Sequence, residues 1–376
     1  MLDHKIIRVA FILHPLNVSE FNEKAFFYLP FDKILSFILQ KTSPRVVKKL
    51  FAKLPPHIFL NVDNFTSLLN KRISIIGVMC GLFPEELINE NKAFEKVLKA
   101  VRFALKKEAK IIILTGFTSI VGNEGEEIRR IFKNKDIIIT SGNAFTAALS
   151  IRGIIKAAEV FKKDIQESTI SIIGATGDIG GICSIVLAKK FKNIILCSRE
   201  INERNKIVQE TYKFTKNLIV EPNIQNAVKN ADFVLLATSS YLPLIDPKDI
   251  KPHSIICDTS LPHNIHDNFI FERKDVFVFD GGIAKIEVDY KDKKWNKFAK
   301  NNTVYGCIAE GMILGFARLF TNFSIGRGNI TEKDIEQITY LGELHGLRLA
   351  DFSFHNKIYT MEEIEQYRQQ FTVNHR

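Results

Sequence analysis

The chain has 376 residues, of which 46% are hydrophobic and 25% charged, as in a globular protein with room for two domains. Its formal net charge of +10 indicates an acidic partner: nucleic acid, an anionic membrane surface or an acidic carrier protein. The charge fits a solvated lysine-rich surface equally well. No stretch approaches the roughly 20 apolar residues of a membrane span, and the opening apolar run is too short for a signal peptide, so we expect a cytoplasmic protein.

Residues 1–150 alternate between apolar strand patterns and helical patterns, which predicts an α/β domain with its own parallel sheet. Between its first two strands lies a basic, aromatic-rich segment, Phe21–Leu60, with Phe26, Phe27, Phe31 and Phe37. We expect one or two amphipathic helices there, split near Ser43-Pro44 and ended by Pro55-Pro56. They either present a basic face to a membrane or carrier, cover an apolar substrate, or pack on their own domain. The strands are predicted at 5–13, 73–78, 111–114 and 137–140, and the helices at 92–107, 124–132 and 143–162.

The stretch Ile170–Arg199 reads as strand, glycine turn, helix and second strand, the layout of a dinucleotide-binding unit. The turn is Gly174-Ala175-Thr176-Gly177-Asp178-Ile179-Gly180. Gly174 permits the tight turn, Gly177 lets the backbone approach a pyrophosphate, and Gly180 lets the helix pack close to the sheet. The helix N-terminus would present its N–H groups to the phosphates.

The end of the second strand of this unit indicates the cofactor. NAD enzymes usually place an acidic residue there, whereas an arginine accommodates the 2′-phosphate of NADP. This chain has Ser198 and Arg199, so we predict NADPH; Glu200 keeps NAD as the alternative if the strand runs two residues longer.

After Arg199 the same alternation continues and predicts a doubly wound parallel sheet of the Rossmann type over residues 151–302. Strands are expected at 218–220, 232–237, 254–258 and 276–280. Thr238 and Asp280-Gly281-Gly282 end two of them, where an α/β sheet binds its ligand, and we expect the glycines to line the nicotinamide end. Residues 303–376 are predicted to be helical and to carry the candidate nucleophile, over 305–320, 331–349 and 361–371.

Cys307 is the candidate nucleophile. Thr303 is expected to cap the helix that follows, which would place the thiol in the first turn, where the helix dipole lowers a cysteine pKa. A lone cysteine on an apolar helix is, as a rule, a small core residue, and we assign that role to the other four cysteines. None of the five forms a C-x-x-C pair, which argues against a disulfide framework or a zinc site.

Two further loops follow predicted buried strands. They are Thr115–Ile120, with Thr118 and Ser119, and Ser141–Ala147, with Asn143. Hydroxyls and an amide at the carboxyl ends of neighbouring strands suit the positioning of a carbonyl or its oxyanion, and they equally suit helix caps. The sequence contains no metalloprotease, nucleophile-elbow or Walker motif, and His14, His263 and His345 have no ligand spacing, so we expect them in surface or core roles.

Taken together, five stretches resemble the long-chain acyl-[acyl-carrier-protein] reductases known best from cyanobacteria. The likeness runs from about residue 110 to 350 and is most specific around Cys307. Two positions differ, because Phe145 and the Ala284-Lys285-Ile286 segment stand where the family pattern has histidines. The matching stretches are GFTSI (116–120), TSGNAFTA (140–147), IIGATGDIG (172–180), VFDGGI (278–283) and CIAEGMILGFARLFTNFSIGRGNIT (307–331).

The resemblance implies a two-step reaction. Cys307 would take the acyl chain from a carrier-protein phosphopantetheine, or from CoA, and NADPH would reduce the acyl-enzyme to a fatty aldehyde. The family's cysteine falls on Cys307 and its nucleotide glycines on Gly174, Gly177 and Gly180. Acyl carrier protein or acyl-CoA is then the expected partner, an anionic membrane remains open, and nucleic acid is not expected; a divalent cation is not readable from the sequence.

Two other functions compete with this prediction. One is an NADP-dependent oxidoreductase of the shikimate dehydrogenase type, which acts on a small polar alcohol without covalent catalysis. The other is a non-catalytic NADP-sensing protein whose basic helices bind anionic lipid.

Overall fold

The computed structural model describes residues 6–21, 41–88, 90–355 and 357–373. The chain divides into two compact units, each discontinuous in sequence. Unit 1 comprises residues 1–142, 286–327 and 340–347, and unit 2 comprises residues 143–285, 328–339 and 348–376. This division differs from the three consecutive segments expected above, since residues 303–376 contribute to both units.

The secondary structure alternates between strands and helices along most of the described chain. The strands are β1 (Ile7–Leu13), β2 (His57–Thr66), β3 (Arg72–Met79), β4 (Ile111–Leu114), β5 (Ile138–Thr140), β6 (Thr169–Ile173), β7 (Asn193–Cys197), β8 (Asn217–Val220), β9 (Phe233–Leu236), β10 (Ile255–Asp258), β11 (Phe277–Asp280), β12 (Ile283–Ile286), β13 (Thr303–Tyr305), β14 (Leu347–Leu349), β15 (Ser353–Phe354) and β16 (Lys357–Ile358). The helices are α1 (Pro44–Phe51), α2 (Pro84–Leu87), α3 (Glu90–Lys106), α4 (Val121–Glu124), α5 (Glu126–Ile131), α6 (Asn143–Val160), α7 (Asp178–Ala188), α8 (Lys206–Thr211), α9 (Ile224–Lys229), α10 (Phe269–Glu272), α11 (Lys293–Phe298), α12 (Gly306–Ala317), α13 (Glu332–His345) and α14 (Met361–Val373).

Unit 1 is built on a five-stranded sheet of order β2-β3-β1-β4-β5. Strands β3, β1, β4 and β5 are parallel, and their near-continuous apolar sequences fit burial on both faces. Helix α12 packs on β1, β3 and β4, and its Gly311 lies directly against Ile113. The predicted sheet lacks β2, which pairs antiparallel with β3 at the edge.

Unit 2 is built on a six-stranded parallel sheet of order β11-β10-β9-β6-β7-β8. The order runs outward in both directions from β6, which pairs with β7 on one side and β9 on the other. Helix α7 follows β6 and packs on α6 and on β6 and β7. This arrangement confirms the predicted Rossmann-type α/β fold, and it puts the topological switch point of the sheet at β6 and β9.

The expectation for the chain after residue 303 is revised, and that for the Phe-rich basic segment is tested only in part. The region after residue 303 is not purely helical, because β13 to β16 interrupt it with strands of two or three residues. Within the Phe-rich basic segment, α1 begins at Pro44, as the predicted split at Ser43-Pro44 implies; Phe26, Phe27, Phe31 and Phe37 lie outside the described residues. No helix in the described ranges is long and apolar enough to span a bilayer.

Candidate active site

Two loops of unit 1 meet at Cys307. One follows β4 and carries Gly116, and the other follows β5 and carries Gly142. A Cβ atom built on Gly142 would lie 2.1 Å from Cys307 Cα and 2.4 Å from its Cβ, so only glycine permits this approach. The φ of +75° at Gly142 also requires glycine, since L residues with side chains rarely adopt this angle. The two loops and the cysteine singled out in the sequence therefore form one site.

Cys307 is the second residue of α12 and the most accessible of the five cysteines, since the other four are buried. Main-chain N–H groups of Gly116 and Ile308 hydrogen-bond to its sulfur, which favours the thiolate. The thiol is nevertheless enclosed by protein on most sides, and this burial raises its pKa to about 12, with the charge of Glu310 adding to the rise.

The expectation of a lowered thiol pKa at Cys307 is therefore wrong. The helix start is where the sequence places it, within a residue, but loss of hydration outweighs the N–H groups and the dipole. Thr303 is not the cap either. It lies in β13 and its hydroxyl donates to Lys300 O, while the N-cap residue is Tyr305.

The side-chain hydroxyls of the loop after β4 donate hydrogen bonds to main-chain carbonyls. Thr118 Oγ1 donates to Thr115 O at 2.9 Å and also lies 3.3 Å from Ile12 O. Ser119 Oγ donates to Gly116 O at 2.7 Å. In this arrangement both hydroxyl protons are directed to main-chain carbonyls, so Thr118 and Ser119 shape the loop, and the groups that face Cys307 are main-chain N–H donors.

His14 supports this loop from below, a role the sequence did not reveal. Its Nε2 accepts the N–H of Phe117 at 2.9 Å, and its Nδ1 donates to Pro15 O at 2.9 Å. Burial lowers the pKa of His14, so the ring is neutral and carries its proton on Nδ1. A Cβ on Gly116, whose φ is +52°, would lie 2.8 Å from His14 Nε2.

A buried carboxylate lies one turn after the cysteine on the same helix. Glu310 is fully buried and accepts hydrogen bonds from Thr140 Oγ1 and, at 3.0 Å, from Ser324 Oγ. Thr140 Oγ1 in turn accepts the N–H of Gly142 at 3.2 Å. The only signal for this network in the sequence is a charged residue inside the apolar run of α12.

In unit 2, the turn between β6 and α7 is shaped by its glycines. A Cβ on Gly174, whose φ is +89°, would lie 2.2 Å from Ala237 O, and one on Gly180 would lie 2.2 Å from Gly174 O. Gly177 is the N-cap of α7 and is less crowded, its nearest such contact being 3.4 Å away. The turn is thus a cradle of bare backbone that side chains would fill, and it fits the pyrophosphate of a dinucleotide.

The residues predicted to choose between NAD and NADP lie at the end of β7. The hydroxyls of Thr176 and Ser198 hydrogen-bond to each other at 2.7 Å, which links the glycine turn to this strand end. Arg199 and Glu200 are both exposed. Because β7 ends at Cys197, Glu200 lies beyond the strand, whereas Ser198 is the first residue after it.

Asn143 belongs to unit 2 and is hydrogen-bonded to the first residue of α7. Its Nδ2 donates to Asp178 Oδ2 at 3.4 Å, and Gly328 N–H donates to Asp178 Oδ1 at 2.7 Å. Asp178 is the first residue of α7, where a carboxylate is favoured by the helix dipole. The amide of Asn143, predicted to position a substrate carbonyl, therefore has a partner at the predicted pyrophosphate turn.

The ends of β9 and β11 carry the residues predicted to line the rest of the cofactor site. Thr238 Oγ1 donates to Asn264 Oδ1 at 2.6 Å, and its N–H donates to Ser260 Oγ. Gly281 and Gly282 follow β11, and a Cβ on Gly281 would lie 2.2 Å from Thr259 Oγ1. These residues lie at the carboxyl edge of the sheet, as predicted.

A group of buried and partly buried ionisable residues, which we call the His263 cluster (Asp258, His263, Asp280 and His355), lies at the same edge of unit 2. His263 is 3.6 Å from both Asp258 Oδ2 and Asp280 Oδ1, and its ring stacks on His355 at 4.5 Å. Burial alone would lower the pKa of His263, but the nearby carboxylates of Asp258 and Asp280 raise it overall. Burial also raises the pKa of Asp280 and lowers that of His355.

Across the described ranges, no group of three or more His, Cys, Asp or Glu side chains could hold a metal ion.

Comparison with known proteins gives one family model and several relatives. Residues 155–280 match the shikimate / quinate 5-dehydrogenase family. The long-chain acyl-[acyl-carrier-protein] reductase of Synechococcus elongatus is 29% identical over 266 residues, covering 68% of this chain and 76% of the relative. The aminotransferase PigE of a Serratia species is 24% identical over 77% of this chain and 34% of its own length. Glutamyl-tRNA reductase of Cyanophora paradoxa is 24% identical over 41% of this chain and 37% of its own.

These matches support an oxidoreductase with a nicotinamide dinucleotide as its cofactor. The family model covers β6 to β11, the part of unit 2 that forms the parallel sheet. The match to the acyl-carrier-protein reductase is to a divergent relative and extends over two thirds of the chain.

Proposed function

We propose that the chain is an NADPH-dependent reductase that converts a fatty acyl thioester to an aldehyde through an acyl intermediate on Cys307. The observation that carries the proposal is the convergence of the β4 and β5 loops on an accessible cysteine at the start of α12. A cysteine in a packed core does not need a glycine against its own backbone or main-chain donors on its sulfur. Both features suit a nucleophile held in a fixed position.

In the first step Cys307 Sγ attacks the carbonyl carbon of the incoming thioester. The new carbon–sulfur bond forms as the bond to the donor breaks, and the proton of the Cys307 thiol balances the departing thiolate. With a thiol pKa near 12, that proton has to leave as the bond forms. The N–H groups of Gly116 and Ile308, which hydrogen-bond to the sulfur, would suit the negative charge that develops on the carbonyl oxygen.

The cofactor fits the residues of unit 2. Gly174, Gly177 and Gly180 leave room for the pyrophosphate, and the start of α7 offers it N–H groups. Arg199 and Ser198 would hold the 2′-phosphate of NADPH, because an exposed guanidinium and a hydroxyl suit a phosphate dianion. When bound, the nicotinamide supplies the hydride that converts the acyl group to an aldehyde and frees the Cys307 thiolate, so each turnover consumes one NADPH and one proton.

The donor is proposed to be acyl carrier protein, with acyl-CoA as the second source of the same thioester. The support is the similarity to a reductase named for acyl-carrier-protein substrates and the net charge of +10. Both donors end in the same thioester chemistry, so Cys307 and its loops would act identically on either. An anionic membrane surface remains a proposed further partner.

One specific observation favours a second function. The match to the shikimate / quinate 5-dehydrogenase family covers the sheet of unit 2, and that family is named for the dehydrogenation of shikimate and quinate. On that hypothesis Cys307 would have no covalent role and its removal would leave turnover intact.

One set of activity assays distinguishes the two proposed functions. We expect NADPH oxidation and aldehyde formation with long-chain acyl carrier protein or acyl-CoA, and loss of both in Cys307→Ala. A Cys183→Ala variant serves as the control, because Cys183 is buried within α7. Turnover of a small polar alcohol with NADP that survives Cys307→Ala, without any activity on thioesters, would favour the dehydrogenase instead.

A further inference from the structure

Glu310 is a buried carboxylate on an otherwise apolar helix, and its hydrogen bonds indicate a role beyond packing. Ten of the twelve residues of α12 are buried, and Glu310 is the charged one among them, with no exposed surface. A buried carboxylate is costly unless its oxygens are hydrogen-bonded, and here each oxygen accepts a hydroxyl proton. Because two hydroxyls donate to it, Glu310 acts as an acceptor on both sides.

The hydrogen bonds lead from Glu310 back to the nucleophile. Thr140 Oγ1 donates to Glu310 and accepts the N–H of Gly142, so the hydroxyl bridges the carboxylate and the β5 turn. Gly142 is the residue whose backbone lies against Cys307. Glu310 is therefore connected to Cys307 in two ways. One connection runs through Thr140 and Gly142, and the other is α12 itself, on which the two residues are three positions apart.

A second connection reaches the loop after α12. Ser324 Oγ donates to the other oxygen of Glu310, while Ser324 O accepts the hydroxyl proton of Ser141. Asn322 Oδ1 accepts the N–H of Ile139 at 3.0 Å. The β5 strand end and the 322–324 loop are thus tied to each other and to one buried carboxylate.

We propose that Glu310 is a positioning residue for the nucleophile, which through Thr140 holds the Gly142 turn against the backbone of Cys307. The role follows from the hydrogen bonds and the Gly142–Cys307 approach, and it rests on the proposed function only in taking Cys307 to be the nucleophile. Its negative charge also disfavours the Cys307 thiolate, so the same residue both fixes and restrains the thiol.

The test compares variants that separate the hydrogen bonds from the charge. Glu310→Gln keeps an acceptor for Thr140 and can donate its amide to Ser324, but it removes the charge. Thr140→Val removes the bridge to Gly142 and keeps the charge, at nearly constant volume. Glu310→Ala removes both, and Glu126→Gln, which alters a carboxylate of α5 paired with Arg129, is the control.

The readout is alkylation of Cys307 by a small reagent, iodoacetamide, and a bulky one, N-ethylmaleimide, with Cys307→Ala as the blank. The rate with N-ethylmaleimide divided by the rate with iodoacetamide cancels the thiolate fraction. This ratio reports how readily the site admits the bulky reagent, and it is low when the thiol is tightly enclosed. We expect this ratio to rise about fivefold or more in Thr140→Val and Glu310→Ala and to stay within twofold in Glu310→Gln and the control. At a fixed pH of 8, we expect the iodoacetamide rate of Glu310→Gln to increase several-fold, because the thiolate becomes easier to form.

An unchanged ratio in folded Thr140→Val and Glu310→Ala would overturn the positioning role, and so would an equal change in Glu310→Gln. Should Glu310→Ala fail to fold, Thr140→Val and Glu310→Gln decide the matter by themselves. Neither reagent is an acyl thioester, so a protein that shows these changes and yet never accepts an acyl group would refute the proposed function and leave the role of Glu310 standing.

Discussion

Gly142 and Cys307 lie closer together than any residue with a side chain would allow. For Gly142→Ala we expect a loss of stability of at least about 2 kcal/mol, from left-handed backbone strain together with a Cβ within 2.6 Å of three Cys307 atoms. We also expect acyl transfer to Cys307 to fall at least about tenfold, because the displaced nucleophile leaves its productive geometry. Urea unfolding and single-turnover acylation measure the two effects.

Gly328→Ala is the matched control for that substitution. Gly328 has a similar φ of +69° but nothing lies within 4 Å of its Cβ position, so the variant carries the backbone strain without the clash. We expect it to cost only about 1 kcal/mol and to leave the alkylation rate of Cys307 as in the wild type. Equal losses in both variants would show that the contact with Cys307 contributes nothing.

Arg199 tests the choice of cofactor. Arg199→Ala should weaken NADPH binding about 10- to 100-fold, since a charge-assisted hydrogen bond to phosphate is worth about 1.5–3 kcal/mol, and should leave NADH binding unchanged. Fluorescence titration of the reduced cofactors measures both affinities. A parallel loss for both would mean that Arg199 does not contact the 2′-phosphate, and unchanged binding of both would assign that phosphate to other residues.

At the scale of single residues the sequence singled out the proposed nucleophile but not its environment. Cys307 and the loops around Gly116 and Gly142 were recognisable from their positions after apolar strands and from the family resemblance. The raised thiol pKa was not, because it depends on how completely neighbouring segments enclose the sulfur. His14 and Glu310 act through partners more than 100 residues away, Phe117 and Thr140, and no local pattern encodes such contacts.

The β6–α7 turn offers a test at the level of one secondary-structure element. Gly180→Ala should abolish detectable NADPH binding, because its Cβ would lie 2.2 Å from Gly174 O and force α7 away from the turn. Gly181→Ala is the neighbouring control. The closest contact of its Cβ would be the flexible end of Ile207 at 3.1 Å, and Ala175 O would lie at an ordinary 3.5 Å, so we expect near-normal binding and a slightly more stable helix.

Equilibrium dialysis with NADPH checks this pair. Should Gly180→Ala bind the cofactor as well as the wild type does, the glycine turn would be a structural bend and the pyrophosphate would lie elsewhere. Stability measured in parallel shows whether unit 2 of each variant is folded.

Elements with a strong pattern were predictable and those without one were not. The helices α3, α6, α12 and α14, and the parallel strands for which bounds were predicted, lie within a few residues of those bounds, because apolar runs and glycines mark them. The order strand, glycine turn, helix and strand predicted over Ile170–Arg199 is that of β6, α7 and β7. β2 was missed because its pairing with β3 shifts register twice, which breaks the alternation of buried and exposed residues. The two- and three-residue strands β13 to β16 are too short to show a period at all.

The division of the whole chain into two units could not be predicted from the order of the elements along the sequence. Residues 286–327, which include Cys307, return to unit 1 after the complete sheet of unit 2, and α13 contributes to both units. A boundary drawn where composition or rhythm changes assumes that each domain is continuous. Here the assumption fails because α12 packs on β1 and β4, which precede it by almost 200 residues or more.

The His263 cluster predicts how the stability of unit 2 depends on pH. The pKa of His263 is raised above 6.5 in the folded protein, so the folded state holds its proton more tightly than the unfolded state does. Its contribution is therefore fully present below pH 6.5 and is lost as the pH rises through the folded-state pKa, by at most about 1.4 kcal/mol per pH unit. His355, with its lowered pKa, acts in the opposite direction, and its contribution is lost as the pH falls below 6.5.

Hydrogen exchange of the β10 and β11 amides measures this dependence within unit 2, since the single tryptophan, Trp295, lies in unit 1. We expect protection to decline as the pH rises above 6.5 and this decline to flatten in His263→Gln. His266→Gln, three residues away, should keep the wild-type slope. A slope unchanged by the loss of His263 would show that its carboxylate contacts do not hold a proton.

The most direct test of the central claim is the mass of the intact protein after incubation with long-chain acyl carrier protein in the absence of NADPH. We expect an acyl increment on the wild type, none on Cys307→Ala, and discharge of the isolated acyl-enzyme to free aldehyde when NADPH is added. An increment on both proteins would place the nucleophile elsewhere. No increment on either protein, with carrier-protein or CoA donors and with NADPH binding intact, would contradict the acyl-cysteine mechanism.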